Sequence, residues 1–336
     1  MALPRRRLGS GGPEITSVGF GAWAVGGGGY AFGWGRQDDI ASISAIHRAI
    51  ELGVNWVDTA AIYGLGRSEA VVGEALATLP ASERPLVFTK CGMVWDPERP
   101  TAFPRRLLTP ESIRRECDAS LTRLGVEAID LYQFHWPDDT GVPVEESWGA
   151  MLQLREQGKV RCCGVSNFDP DLLERCERLG HVDSLQPPFS LINRRAAADV
   201  LPWCAAHGTG VIVYSPMQSG LLTDTFSAAR VAAMDDDDWR RESPDFTPPR
   251  LERNLALRDA LRPVAERHGA SVAAAAVAWV LSFDSVTGAI VGARSPAQVE
   301  GWLPAADLVL TPADLDEIAS AVELTGAGSG PGRPPG

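Results

Sequence analysis

Residues 161–186 read RCCGVSNFDPDLLERCERLGHVDSLQ, and their punctuation decides the fold. The run Arg161–Ser166 reads as a strand. Asp169-Pro170 then sets a capping acceptor directly before a proline suited to the first helical position. Gly180 is expected to close that helix, and the next strand spans Asp183–Gln186. The same strand–cap–helix unit recurs in both directions along the chain. Further strands are expected at Thr16–Gly21, Asn55–Ala60, Leu86–Lys90, Asp130–His135, Gly210–Ser215 and Thr287–Gly292, which makes eight. Runs such as VIVY and AIVG are apolar throughout, as strands covered on both faces are. Thr109-Pro110 and Thr311-Pro312 repeat the capping device. Apolar faces follow them at Ile113, Cys117, Leu121 and Leu124, and at Leu315, Ile318, Ala319 and Val322. Eight βα units without a break in composition predict a single (β/α)8 TIM barrel over residues 1–324, an α/β fold, with an open doubly wound sheet as the alternative.

Three segments fall outside this rhythm. Residues 1–15 are expected to form a short hairpin plugging the barrel's N-terminal end. Residues 233–250, AMDDDDWRRESPDFTPPR, suggest a long mobile loop. The run Asp235–Asp238 within it reads as a solvated face, because adjacent aspartates cannot all face one ion. Residues 325–336, the tail TGAGSGPGRPPG, are rich in Gly and Pro and are expected to be disordered.

The balance of 31 basic against 43 acidic residues gives a formal charge of −12. Phosphate neutralisation needs clustered Lys and Arg, so neither nucleic acid nor an anionic membrane is an expected partner. The longest apolar stretch, Val272–Leu281, falls short of the ~18 residues of a spanning helix and reads as a core helix. Arg5–Arg7 are followed by LGSGGPEITSVG, without the apolar region of an export signal, so a cytoplasmic protein is expected. The six cysteines form no C-x-x-C pair and are expected to be reduced and buried. The five histidines show no metal-binding spacing, and no metal is expected. The oligomeric state is left open.

In a (β/α)8 barrel the reacting groups gather at the strands' C-terminal ends. The expected strands end at Asp58, Lys90, His135, Ser166-Asn167, Gln186, Tyr214-Ser215 and Gly292-Ala293-Arg294. Of the 31 basic residues only Lys90 and Lys159 are lysines. A chain that otherwise meets its need for positive charge with Arg keeps at position 90 a compact, tunable ammonium that Arg cannot supply. Tyr63 follows Asp58 by five residues in NWVDTAAIYG, in a loop able to turn back over the barrel mouth. Residues 19–24, GFGAWA, match a dinucleotide-binding pattern, but they run on into VGGGGYAFGWG instead of opening a helix, so an open Rossmann sheet is not indicated.

With these residues assembled, the chain resembles the aldo-keto reductase superfamily. The resemblance runs in consistent order from about residue 5 to residue 324. It includes GFGAWAVGG, VDTAAIYG with GRSEAVVGEAL, FTK, DLYQFHWP, GVSNF, SLQPPFS, YSPMQSGLL and VGARSPAQVE. It implies a (β/α)8 fold and NAD(P)H-dependent carbonyl reduction without a metal. By motif, Tyr63 is implied as general acid, with its pKa lowered by Lys90. Asp58 holds Lys90, and His135 orients the carbonyl oxygen. Hydride transfer builds charge on that oxygen, so a proton donor and a polarising group are what the chemistry needs.

For the cofactor, the resemblance implies Ser166, Asn167 and Gln186 at the carboxamide and Tyr214 stacked on the nicotinamide. Ser215, Met217, Ser219 and Leu221 fall to the pyrophosphate, and Gly292, Arg294, Ser295 and Gln298 to the adenosine end. Gly21, Trp23 and Asp58 are also expected to touch the cofactor. Arg294 pairing with a 2′-phosphate implies NADPH (NADP) rather than NADH. Trp302 stands where relatives often carry Asn, which departs from the usual adenine contact. Trp23, Trp34, Trp95 and Trp136, with Tyr63 and His135, are expected to form an aromatic-walled pocket for a small-molecule carbonyl substrate. Selectivity is assigned to the loop Gly26–Arg36, the Trp95 loop and the segment after His135. The same residues suit an alcohol or sugar dehydrogenase running in reverse, and some proteins of this fold are cofactor-sensing regulatory subunits.

Overall fold

Eight parallel strands form one closed ring in the computed structural model, which describes residues 3–235 and 238–334. They are β1 (Val18–Gly21), β2 (Trp56–Asp58), β3 (Leu86–Cys91), β4 (Ile129–Phe134), β5 (Val160–Ser166), β6 (Ser184–Gln186), β7 (Gly210–Val213) and β8 (Gly288–Gly292). Each pairs with its sequence neighbours, and β8 closes on β1 with Gly292 opposite Gly21. Closure excludes the open doubly wound sheet. The register sets Gly21 opposite Asp58, Lys90 opposite Gln133, and Gln186 opposite Ser166, so the polar strand ends share one rim.

The helices form where the capping residues place them. Thr109, Asp169 and Thr311 each accept a backbone N–H at the start of the helices Pro110–Leu124, Pro170–Glu177 and Pro312–Thr325. The Ala-rich helix Val272–Leu281 is buried nearly all round and packs within the core. Among the described residues no helix is long and apolar enough to cross a membrane. All six cysteines are buried free thiols.

The opposite end of the barrel is stoppered. Arg5–Arg7 and Glu14–Thr16 pair antiparallel. Leu8 and Ile15 from this hairpin pack with Trp56, Phe88, Leu131 and Ile212 inside the ring. Trp56 donates its indole N–H to the Thr16 carbonyl at 2.8 Å. Its ring lies so close to Gly19 that a Cβ there would stand 2.1 Å from it, which only glycine avoids.

Two expectations are corrected. The tail is docked, not disordered: Ser329 bridges Asn193, and the buried Arg194 guanidinium donates to the carbonyls of Ala327 and Gly330 at 3.1 Å each, and to that of Leu191. A buried guanidinium must have acceptors. The Gly-rich tail supplies carbonyls although it has little to pack, and composition counts only side chains. Residues 335 and 336 lie outside the described residues. The segment 233–250, expected to be a mobile loop, is built on two short 3-10 turns, Trp239–Arg241 and Pro244–Phe246, with Phe246 buried in the core. Asp238 caps the first turn and grips Arg240, while Asp235 is exposed; Asp236 and Asp237 lie outside the described residues.

Ile15→Ala removes a fully buried side chain from the barrel floor, at a cost of about 2–5 kcal/mol. A lowered denaturation midpoint with cofactor affinity preserved is expected, because the lesion is at the far end from the rim. Chemical denaturation and cofactor titration of the same protein check this.

Candidate active site

Four strands deliver one buried polar knot. Lys90 Nζ of β3 lies 2.5 Å from Asp58 Oδ1, at the end of β2, and 2.9 Å from the Thr59 carbonyl. Gln186 of β6 donates its amide N–H groups to Asp58 Oδ2 at 2.9 Å and to Gln133 Oε1 at 3.2 Å. Neither member of the ion pair has appreciable exposure. The loop after β2 turns back over this pair, because Ala60 and Ile62 are buried and Gly64, at φ +62°, packs flat on Gly26. Tyr63 is thereby carried over the rim, with its ring centroid 5.3 Å from Lys90 Nζ and 5.6 Å from the His135 ring, edge to face.

A cleft of about 370 Å³ runs from Asp58, Tyr63 and Gln186 past Tyr214 to Arg294, Gln298 and Trp302. Tyr214 is fixed by its hydroxyl, which donates to Asn167 Oδ1 at 2.9 Å, and Asn167 donates to the His135 carbonyl at 3.0 Å. The turn after Tyr214 is strained, with Ser215, Gln218 and Ser219 all at positive φ. Such strain gathers where backbone groups are presented to a ligand. At the far end Arg294 is tied to the Gln37 side-chain oxygen at 2.6 Å and to the carbonyls of Trp34 and Arg36. Arg240 and Arg230 line the same end. The Trp302 indole N–H is buried there without a partner. An elongated cleft with an aromatic wall, a strained turn, a cationic end and an orphaned donor fits a dinucleotide.

The family model described as the aldo/keto reductase family matches residues 17–323. The chain belongs to the aldo/keto reductase family. Its relatives include the NADH-specific methylglyoxal reductase of Escherichia coli K12, 33% identical over 92% of this chain and 96% of that one. The aldo-keto reductase YhdN of Bacillus subtilis 168 is 33% identical over 94% and 92% of the two chains. Among solved structures, the glycerol dehydrogenase of Gluconobacter oxydans matches with a TM-score of 0.86 at 36% identity, covering 97% of each chain. This aldo/keto reductase is an oxidoreductase that acts on a carbonyl/alcohol pair with a nicotinamide cofactor.

Burial dominates the electrostatics of the reductase's rim. It pushes the Asp58 carboxyl up and the Lys90 ammonium down, and their contact opposes both shifts. Burial and then the Lys90 charge hold His135 well below the ordinary imidazole range, so the ring is neutral. The expectation that Lys90 lowers the Tyr63 pKa is corrected: burial, and then the Asp58 carboxylate, raise it well above the ordinary phenol value. The ammonium is largely cancelled by the carboxylate 2.5 Å away, so desolvation of the phenolate wins.

Most of the residues singled out in the sequence converge. Gly21, Trp23, Trp34, Asp58, Tyr63, Gln186, Tyr214, Ser215, Met217, Ser219, Gly292, Arg294 and Gln298 line the cleft. Ser166 and Asn167 stand behind it, Ser166 donating to the Gln186 carbonyl at 2.7 Å. Leu221 and Ser295 are not in its wall. Leu221 is an apolar side chain with no exposure and packs into the core, while Ser295 is the extended residue before the helix Pro296–Trp302. The four tryptophans divide into two groups. Trp23 and Trp34 join Trp239 around the cleft, whereas Trp95 and Trp136 pack with Phe32 on Ala60, Ile62 and Met93. Tyr63 touches both groups. Sequence reasoning missed Trp239, Arg240 and Gln37. A tryptophan inside an acidic loop was the available signal, because so large an apolar ring seeks cover.

Lys90→Met leaves Asp58 buried without its cation, a change that costs about 3–5 kcal/mol at neutral pH. Without the ammonium, the folded-state pKa of Asp58 stands further above its unfolded value. The deficit relative to wild type is then smallest at and below the ordinary carboxylate range, where both proteins lose stability in parallel. It grows as pH rises above that range, from the folded-state pKa of Asp58 in the wild type towards its higher value in the variant. Denaturant midpoints at acid and neutral pH check this; a deficit independent of pH contradicts it.

Proposed function

We propose that this aldo/keto reductase reduces an aldehyde or ketone to an alcohol with NADPH, with Tyr63 as the proton donor. The observation that carries the reading is the placement of one phenol between a buried ion pair and a neutral histidine at the mouth of a dinucleotide-sized cleft. A nicotinamide cofactor held in the cleft would supply hydride to the carbonyl carbon. As charge builds on the carbonyl oxygen, Tyr63 gives up its hydroxyl proton to it. The raised pKa keeps Tyr63 in the protonated form a donor needs, and the nascent phenolate arises beside the Lys90 ammonium. Neutral His135 retains one ring N–H with which to hold the carbonyl oxygen. Asp58 keeps Lys90 in place, and Gln186 keeps Asp58 in place.

Tyr214, with Ser166, Asn167 and Gln186 behind it, would hold the nicotinamide, and the turn from Ser215 to Ser219 the pyrophosphate. The choice of NADPH rests on Arg294. Among the described residues its guanidinium is held by neutral acceptors, which leave its charge uncancelled. Burial, and then Arg240 and Arg230, press its pKa down, as happens where positive potential is concentrated and an anion is welcome. The relative from E. coli is named NADH-specific, and the preference proposed here rests on this chain's own Arg294, Arg240 and Arg230. The likeness to a glycerol dehydrogenase favours a second reading on the same residues, with Tyr63 as base in alcohol oxidation.

Tyr63→Phe is expected to lower aromatic-aldehyde reduction by about 10²–10⁴-fold, while NADPH affinity, read by tryptophan quenching, changes far less. Unchanged turnover contradicts the assignment of the acid. Arg294→Ala is expected to weaken NADPH binding by about tenfold or more and NADH binding much less. Equal losses show that Arg294 does not read the 2′-phosphate.

A further inference from the structure

Among the described residues Arg106 is a cation without an ion pair, beside the ring of Trp136. It lies on a two-stranded ribbon after β3, in which Met93–Val94 pairs with Arg105–Arg106 and Arg106 stands directly opposite Met93. Side chains of directly opposed residues leave a ribbon on the same face. Met93 is buried against Ala60 and Ile62, in the cluster where Tyr63, Trp95 and Trp136 also pack. Arg106 therefore lies on the face of the ribbon where these rings pack beside Tyr63. Its guanidinium carbon sits 4.4 Å from the ring centroid of Trp136, the residue after His135.

Among the described residues the guanidinium has no ion pair and no hydrogen bond, and it lies over the tryptophan face. This is unusual in a chain whose acidic residues outnumber its basic ones by twelve. Of the acids close by, Asp139, whose backbone N–H donates to the Arg106 carbonyl at 3.3 Å, is exposed and makes no ion pair with the guanidinium, and two others are committed elsewhere. Asp138 accepts the backbone N–H groups of Leu108, Thr140, Gly141 and Val142, and Asp96 holds Arg99. Stacking on an indole orients the guanidinium plane while leaving its edge, with the N–H fork, free for an oxyanion.

We propose that this reductase takes carbonyl substrates carrying a carboxylate, with Arg106 as the residue that binds the anion and Trp136 as its platform. The proposal rests on the reductase reading of Tyr63 and His135 and adds a substrate class to it. Arg106 acts on binding and takes no part in proton or hydride movement.

The test compares 4-formylbenzoate with 4-methylbenzaldehyde, which share the ring and the aldehyde and differ in bearing a para carboxylate or a neutral para methyl group. In the wild type kcat/KM is expected to favour the carboxylate. Arg106→Met keeps an apolar side chain over Trp136, and it is expected to lower the ratio of the two kcat/KM values by about tenfold or more, through KM. Raising NaCl from about 0.05 to about 0.5 M is expected to lower the ratio in the wild type as well. A ratio untouched by both the substitution and the salt overturns the proposal. Titration of tryptophan fluorescence with 4-formylbenzoate reads the subsite without turnover. A Kd about tenfold weaker in Arg106→Met supports it even if neither aldehyde is reduced, in which case the reductase reading fails alone. Equal Kd values overturn the subsite whatever the turnover.

Discussion

The ion pair of Lys90 and Asp58 holds the functional end of this barrel together. Taking both charges out of water is expensive, and a buried pair persists only when its remaining donors and acceptors are met. Here the Thr59 carbonyl meets Lys90 and the Gln186 amide meets Asp58. These groups come from β2, β3 and β6, and Gln186 lies 128 residues beyond Asp58. β6 is not a ladder neighbour of β2, so the contact exists only because the sheet closes on itself. An open sheet would leave a carboxylate and an ammonium half-solvated on separate strands, and Tyr63 would lose its charged neighbour.

The two ends of the barrel answer opposite demands. The floor is filled by Leu8, Ile15, Trp56 and Phe88, apolar groups whose burial drives closure without chemistry. The rim collects polar groups whose burial opposes folding and which are tolerated because the floor and the outer helices supply the stability. Segments that look like connections serve the rim. Arg240, held by Asp238, donates to the Ser219 carbonyl and lies over the Trp34 ring, so the turn Trp239–Arg241 is coupled to the strained turn at the cleft. The docked tail reaches the same turn by another route. It braces Arg194 and Leu191, and the adjoining Ser190 hydroxyl donates to Gln218 Oε1 at 2.8 Å.

Much of this was legible in the residues. The eight strands fall where the apolar runs lie. Thr109, Asp169 and Thr311 cap the helices they precede, since a short polar side chain before proline has few other local uses. Asp58, Tyr63, Lys90 and His135 were identifiable because each follows or ends a recognisable strand. The failures also have a common form. The tail and the segment 233–250 were judged by composition, which scores side chains. Their order comes from backbone carbonyls offered to Arg194 and from a few rings, Trp239 and Phe246, sunk into cover made elsewhere. Leu221 was assigned by its place in a motif, although its apolar side chain has only the core to go to.

The sequence by itself determined the periodicity, the caps and the polar residue at each strand end, because these follow from interactions over a few positions. Only the tertiary structure decided how those ends act on one another. Whether Lys90 depresses the Tyr63 pKa depends on Asp58 standing 2.5 Å from the ammonium and on how far the folded rim shields the phenol. Which tryptophans gather at the cleft and which pack beside Tyr63 on Ala60, Ile62 and Met93 depends on how four separate loops fold over one rim. Desolvation and mutual screening of charges are properties of a closed three-dimensional surface, and no spacing along the chain encodes them locally.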